Sequence, residues 1–101
     1  MDADLLRDLK HQVEMLPIKA AFIFGSYAKG TKTSDSDIDL LVITDDLSKI
    51  GAKAAFQPLS RILNIKIDVL AISSAEFATI DQDNDGFWSA VLKNAIQLKT
   101  E

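Results

Sequence analysis

The stretch from Gly25 to Val42, GSYAKGTKTSDSDIDLLV, constrains this chain more than any other part of its sequence. The apolar run KAAFIF leads into it, and the apolar run IDLLVI leads out of it. The stretch itself contains a Gly-Ser turn, two lysines and three aspartates at alternate positions, of which the last two, Asp37 and Asp39, stand where the second run begins. Short apolar runs bounded by turn residues are typical of buried strands. The stretch therefore predicts a strand–turn–strand unit that could hold a phosphate at the turn and a divalent metal beside it.

Helical spacing of apolar residues predicts two longer helices around this unit. The first covers residues 2–16 and ends at Pro17, and its apolar positions are Leu5, Leu6, Leu9, Val13 and Leu16. The second covers about residues 49–63, and its apolar positions are Ala52, Ala55, Phe56, Leu59, Ile62 and Leu63. Pro58 lies inside the second helix and should kink it or split it into two segments. The single histidine, His11, falls on the polar side of the first helix, which predicts a surface position.

Three strands are predicted at residues 18–24, 37–44 and 65–72. Ser73 and Glu76 form a capping box, which predicts a short helix that ends at Ile80. A last helix is predicted at about 87–95, and Ile96 and Leu98 are candidates for a short edge strand. The order αβαβαβαα predicts an α/β fold in which helices flank a small mixed β-sheet. The length of 101 residues predicts a single domain over residues 1–101.

Composition and charge argue against several classes of protein. The chain has no cysteine, which excludes disulfides, thiolate metal sites and cysteine nucleophiles. Its formal net charge of −4 argues against strong nucleic-acid binding, because such domains usually carry a basic surplus. No apolar run approaches the ~20 residues of a membrane span. The N-terminal MDADLLRDLK does not resemble a signal peptide. We therefore expect a cytoplasmic protein.

The residues at the two ends of the central stretch suit phosphate and metal chemistry. Gly25 lets the backbone approach an anion closely, and the Ser26 hydroxyl can donate to a phosphate oxygen. Asp37 and Asp39 are two residues apart on a strand, so their side chains point to the same face. Two carboxylates in this arrangement can ligate one or two Mg²⁺ ions. A lone Gly-Ser is only a turn, but paired carboxylates on a buried strand repel each other unless a cation compensates them.

The pattern of the central stretch resembles the signature of the DNA polymerase β-like nucleotidyltransferase superfamily. It consists of Gly25-Ser26, ten further residues and then Asp37-Ile38-Asp39. The surrounding GSYAKG and SDIDLLV are similar to its minimal nucleotidyltransferases, small prokaryotic members that are often antitoxins. The resemblance implies transfer of a nucleoside monophosphate from an NTP, usually ATP, to an acceptor hydroxyl. Polymerases of this superfamily grip nucleic acid with extra domains, for which we expect no counterpart in so short a chain.

The resemblance also implies two sets of site residues, carried over by position. The phosphates of the NTP would be held by Gly25, Ser26 and Lys29, and Mg²⁺ by Asp37, Asp39 and Asp68. Asp68, on the next strand, matches the family's third carboxylate and is a candidate general base. Lys29 stands where the family more often has arginine, so the cation is kept and the bidentate fork is lost.

The function that this resemblance implies is a Mg²⁺-dependent transfer of AMP from ATP to a partner protein, with a toxin-like protein as the acceptor. One alternative is a non-catalytic antitoxin module that binds nucleotide or partner without turnover. Another is nucleotidylation of a small molecule such as an antibiotic, although the chain offers little material for an acceptor pocket. The sequence leaves open the acceptor and whether the chain forms homo- or hetero-oligomers.

A second acidic cluster, Asp81, Asp83, Asp85 and Gly86, matches the first half of an EF-hand calcium loop. The loop needs a bidentate glutamate at its twelfth position, where this chain has Leu92. An acidic, solvated helix N-terminus is therefore the preferred interpretation of this cluster.

Overall fold

The computed structural model describes residues 3–30, 37–79 and 95–99, with Ser26 and Lys29 described by their backbone only. In these residues the helices are α1 (Ala3–Glu14), α2 (Ser26–Lys29), α3 (Lys49–Ala55), α4 (Gln57–Leu63) and α5 (Ser74–Ala78). The strands are β1 (Ala20–Phe24), β2 (Ile38–Ile43), β3 (Ile67–Ile72) and β4 (Ile96–Lys99). Residues 87–94 of the helix predicted at about 87–95, and the acidic cluster from Asp81 to Gly86, lie outside the described residues.

The four strands form one mixed sheet in the order β3-β2-β1-β4. Strand β1 runs antiparallel to both β2 and β4, whereas β2 and β3 are parallel. A parallel pair needs a crossover connection, and α3 and α4 supply it. Strand β4 confirms the edge strand predicted at Ile96 and Leu98. The mixed α/β fold predicted from the order of elements is confirmed.

One face of the sheet is covered by α1, α3 and α4 and carries the main core. Helix α1 buries Leu5, Leu9 and Val13, as its apolar spacing predicts, and His11 is exposed. All four strands of the sheet contribute buried side chains to the same cluster, including Ile23, Leu40, Val69 and Leu98. The other face carries a smaller cluster of Ala20, Leu41, Ile43 and Ile72, against which Phe77 of α5 packs. Strand β2 is thus apolar on both faces, which is why its sequence is a nearly continuous apolar run.

The predicted helix at 49–63 is split into α3 and α4, as the position of Pro58 indicates. Phe56 ends one helix and begins the other, and Pro58 lies in the first turn of α4, where no intrahelical N–H is needed. The prediction that Ile62 faces the core is wrong, because its side chain is 79% exposed. Ile62 lies roughly 60° around the helix from Leu59, on the flank away from Leu63. A buried stripe through Leu59 and Leu63 therefore leaves Ile62 in solvent.

The N-terminus of α5 is held by two sets of hydrogen bonds. The Glu76 N–H donates to the Ser73 Oγ at 3.1 Å, and the Ser73 N–H donates to the Glu76 Oε1 at 3.3 Å, so the predicted capping box is confirmed. Asp45, just after β2, accepts from the Ser74 N–H at 3.0 Å and from the Ser74 Oγ at 2.6 Å. The Lys19 Nζ lies 3.0 Å from the same carboxylate. These bonds connect the start of β1, the end of β2 and the start of α5.

We expect the Asp45→Asn variant to unfold at a lower temperature than the wild type at neutral pH, and this difference to disappear in acid. The hydrogen bonds from Ser74 and the neighbouring Lys19 lower the pKa of Asp45 to about 2, from 3.8. Because the folded-state pKa is the lower one, this stabilisation is present above 3.8 and is lost as the pH falls toward about 2. Thermal unfolding across this pH range measures the difference. The exposed neighbour Asp46 is the control, and an Asp45→Asn variant with an unchanged pH profile would contradict the assignment.

The chain offers no membrane-spanning segment within the described residues, since none of their helices combines the necessary length and apolar character.

Candidate active site

The candidate site lies where β1 ends and where β2 and β3 begin. The antiparallel register pairs Phe24 of β1 with Asp39 of β2, and the parallel register pairs Asp39 with Asp68 of β3. Directly paired residues point to the same face of a sheet. These three side chains therefore form one row across the sheet, on the face opposite the main core. Gly25 follows β1 at the end of this row.

The two parallel strands bring four charged side chains together at their N-terminal ends. Asp37 lies immediately before β2, and Lys66 immediately before β3, next to Asp39 and Asp68. The Lys66 Nζ lies 3.9 Å from the Asp37 Oδ2 and 3.8 Å from the Asp68 Oδ1. The Ile38 N–H donates to the Lys66 carbonyl at 2.9 Å and holds the two strand starts in this alignment. The three predicted carboxylates thus lie in one cluster.

Asp39 is the least solvated of the three carboxylates, and its charge is poorly compensated. Burial raises its pKa above 3.8, and the neighbouring charges of Asp68 and then of Asp37 raise it further. Asp37 and Asp68 are more accessible, with side chains 37% and 51% exposed. A cation bound here would favour the ionised form of Asp39 and relieve the repulsion among the carboxylates.

Carboxylate oxygens are the ligands that Mg²⁺ prefers, so the donor set fits the predicted metal. The present side-chain positions are less favourable. Within the described residues, no group of three or more His, Cys, Asp or Glu side chains is placed so that it could hold a metal ion. A metal would require the carboxylates to rotate toward one point. The metal-binding roles of Asp37, Asp39 and Asp68 therefore stay predictions that the chemistry of the donors supports.

Gly25 allows the backbone after β1 to pass directly beside Asp39. Its φ of +76° lies in the left-handed region, which side chains disfavour. A Cβ at this position would overlap the Asp39 Oδ2 and lie 3.2 Å from the Asp39 Cγ. The sequence predicts a glycine that makes room for a phosphate, and the structure shows that it also makes room for the carboxylate. The β1–α2 turn, which includes the backbone of Ser26, therefore lies against the acidic cluster, whereas the phosphate-binding role of Lys29 stays a prediction.

Lys66 is the residue at this site to which sequence reasoning assigned no role. In the sequence, Lys66 is a charged residue within the apolar run IKIDVLAI. The available signal was its spacing, because Lys66 and Asp68 are two residues apart in an extended segment and share a face. What the spacing could not show is that the same face also carries Asp37 and Asp39.

Comparisons with known proteins agree on the family. The model of the family described as "Polymerase beta, Nucleotidyltransferase" matches residues 7–87. The chain is 37% identical over 75 residues to the candidate protein adenylyltransferase MJ1215 of Methanocaldococcus jannaschii, covering 70% of this chain and 85% of that protein. It is 32% identical over 79 residues to the protein adenylyltransferase MntA of Shewanella oneidensis, covering 77% of this chain and 53% of MntA.

Solved structures are similar over nearly the whole chain. The crystal structure of a toxin–antitoxin with AMP-PNP matches with a TM-score of 0.61 and 25% identity, over 97% of this chain and 69% of that one. The MNT antitoxin complex with a tri-AMPylated Shewanella oneidensis HEPN toxin matches with a TM-score of 0.65 over 100% of this chain and 74% of that one. At 18% identity the second match shows the fold alone. The chain belongs to the polymerase beta nucleotidyltransferase family, which confirms the resemblance seen in its sequence.

Proposed function

We propose that this nucleotidyltransferase is a Mg²⁺-dependent protein adenylyltransferase that transfers AMP from ATP to a hydroxyl of a partner protein, as the antitoxin of a toxin–antitoxin pair. The observation that carries the proposal is the cluster of Asp37, Asp39 and Asp68 beside the Gly25 turn. The names of the relatives support the choice of a protein acceptor, since two of them are described as protein adenylyltransferases. The similarity to a toxin–antitoxin with AMP-PNP supports an ATP-like donor and a toxin-like partner.

In this mechanism the chain contributes two groups of residues. Gly25, Ser26 and Lys29 would bind the triphosphate, and Asp37, Asp39 and Asp68 would hold the metal. When bound, Mg²⁺ supplies positive charge that stabilises the charge developing on the phosphate oxygens.

The transfer is an in-line displacement at the α-phosphorus. The acceptor hydroxyl oxygen forms a bond to the α-phosphorus. The bond between the α-phosphorus and the oxygen that bridges the α- and β-phosphates breaks. Pyrophosphate leaves with the electron pair of the broken bond. Asp68 accepts the proton of the hydroxyl, a role that suits a carboxylate that is 51% exposed and reachable by a bulky acceptor. Asp39, less solvated and next to the turn, is better placed to face the nucleotide.

We expect purified protein, Mg²⁺ and α-labelled ATP to transfer label to the protein encoded by the neighbouring gene. The same reaction with γ-labelled ATP should leave that protein unlabelled, because the γ-phosphate leaves with pyrophosphate. This pair of labels separates nucleotidyl transfer from phosphoryl transfer, and an intact-mass increase of one AMP per site checks the product. The proposal fails if neither label appears on the partner, or if the Asp39→Asn variant labels the partner as the wild type does.

A non-catalytic antitoxin module is the second candidate function, and the arrangement of the acidic side chains favours it. In the described part of the chain these side chains are not preassembled around a metal position. Such a module would bind its partner with an affinity that does not depend on ATP, on Mg²⁺ or on Asp37. Isothermal titration calorimetry of the partner with the wild type and with the Asp37→Asn variant, each with and without MgATP, distinguishes the two functions.

A further inference from the structure

The position of Lys66 among the carboxylates has a consequence for metal binding. Its ammonium lies between Asp37 and Asp68, within 3.9 Å of a carboxylate oxygen of each. Lys66 and Asp37 also occupy neighbouring positions on the two parallel strands, since Ile38 pairs with Ile67 one residue later. The strand register therefore places the Lys66 side chain beside the carboxylates, and charge attracts its ammonium to them.

The charges of Lys66 and of the three carboxylates Asp37, Asp39 and Asp68 do not cancel. Three carboxylates and one ammonium leave a net charge of −2 when all are ionised, so the cluster still attracts a divalent cation. Asp39 has no ion pair with Lys66 among the described contacts, and it experiences the charges of both other carboxylates. The Lys66 ammonium thus forms ion pairs with the two outer carboxylates, Asp37 and Asp68. It leaves the charge of the inner carboxylate, Asp39, uncompensated.

The Lys66 side chain can leave this position easily. It is 71% exposed, and lysine has a flexible four-carbon stem whose ammonium water solvates well. Exposed ion pairs at nearly 4 Å are weak, because water and salt screen them. A divalent cation carries twice the charge and can coordinate carboxylate oxygens directly at about 2.1 Å. The two cations cannot share the same carboxylate oxygens without repelling each other.

We propose that Lys66 is a built-in counter-cation of the Asp37–Asp39–Asp68 cluster, which a divalent metal has to displace in order to bind. In the metal-free protein its ammonium keeps Asp37 and Asp68 close together in spite of their like charge. On metal binding, the carboxylates rotate toward the ion and the ammonium moves into solvent. Lys66 is in this sense a positioning residue that also weakens metal binding. The inference rests on the proposed metal-dependent function, but it concerns binding and not turnover.

The test compares metal binding of the full chain with that of its Lys66→Met variant, which keeps the length of the stem and removes the charge. The probe is Mn²⁺ without nucleotide, measured by isothermal titration calorimetry at low ionic strength. We expect the variant to bind Mn²⁺ about fivefold more tightly, because metal binding to the wild type first has to break two weak, exposed ion pairs of Lys66. Lys66→Arg should bind as the wild type does. Lys53→Met is the matched control, because Lys53 is an exposed lysine on α3, which packs on the opposite face of the sheet.

Thermal unfolding supplies the second readout. In EDTA the Lys66→Met variant should unfold at a lower temperature than the wild type, because its carboxylates repel each other without a counter-cation. At saturating Mn²⁺ the difference should vanish or reverse. A merely structural role for Lys66 would lower the unfolding temperature in both conditions.

Mn²⁺ binding by Lys66→Met that is unchanged or weaker than in the wild type overturns the inference, as does the absence of Mn²⁺ binding in both proteins. The proposed function can fail separately. If Lys66→Met binds Mn²⁺ more tightly but no partner is labelled by ATP, the counter-cation role stands and the transferase proposal does not. If the partner is labelled and Lys66→Met leaves Mn²⁺ affinity unchanged, only the counter-cation role is lost.

Discussion

The Asp39→Asn variant is expected to lose nucleotidyl transfer by roughly 10³-fold or more and to be more stable than the wild type. The activity should fall because an amide offers a neutral, weaker ligand at the inner position of the carboxylate cluster. The stability should rise because burial, and then the charges of Asp68 and Asp37, raise the pKa of Asp39 in the folded protein. The pKa of Asp39 is higher in the folded protein than in the unfolded chain. The free energy of unfolding therefore falls as the pH rises above 3.8 and Asp39 becomes ionised. At neutral pH the wild type carries this destabilising charge and the variant does not.

The two effects of Asp39→Asn are measured separately. Label transfer from α-labelled ATP gives the activity, and thermal unfolding in EDTA from pH 4 to 7 gives the stability without a bound metal. Asp46→Asn is the matched control, because Asp46 is an exposed aspartate beyond the other end of β2. It should leave both activity and stability near the wild-type values. An Asp39→Asn variant that is less stable than the wild type at neutral pH would show that the negative charge of Asp39 is compensated.

The Gly25→Ala variant is expected to lose about 2–5 kcal/mol of unfolding free energy, and most of the transferase activity. A non-glycine residue at a φ of +76° costs about 1–2 kcal/mol. The overlap of the new Cβ with the Asp39 carboxylate adds about 1–3 kcal/mol, since either the backbone or the carboxylate has to move. Displacing Asp39 would also misplace the predicted inner metal ligand, which is why activity should fall along with stability.

Gly30 is a well-matched control for this substitution. Its φ of +75° is nearly the same as that of Gly25, but a Cβ on Gly30 would meet no heavy atom of the described residues within 4 Å. Gly30→Ala should therefore show the backbone cost alone, about 1–2 kcal/mol. Urea denaturation of the three proteins gives both losses, and their difference is the contribution of the contact with Asp39. Equal losses for the two variants would mean that the Asp39 carboxylate moves aside without cost.

Most of the secondary structure could be predicted because its causes are local. The apolar spacing of Leu5, Leu9 and Val13 determines which face of α1 is buried, and Ser73 with Glu76 determines where α5 begins. Pro58 predicts the break between α3 and α4 for a steric reason that involves neighbouring residues only. Each of these features depends on residues within a few positions of one another. Ile62 was predicted wrongly because its burial depends on which elements pack against α4.

The sequence by itself determined the strands, the turn at Gly25 and the family, together with the two aspartates that share one face of β2. Only the tertiary structure decided that Asp39 pairs with Asp68, that Gly25 lies against Asp39 and that Lys66 stands between two carboxylates. These contacts follow from the antiparallel register of β1 and β2 and the parallel register of β2 and β3, which burial of apolar residues on both faces selects. A shift of one residue would turn every side chain of a strand to the other face, so the charged cluster exists only in the folded sheet.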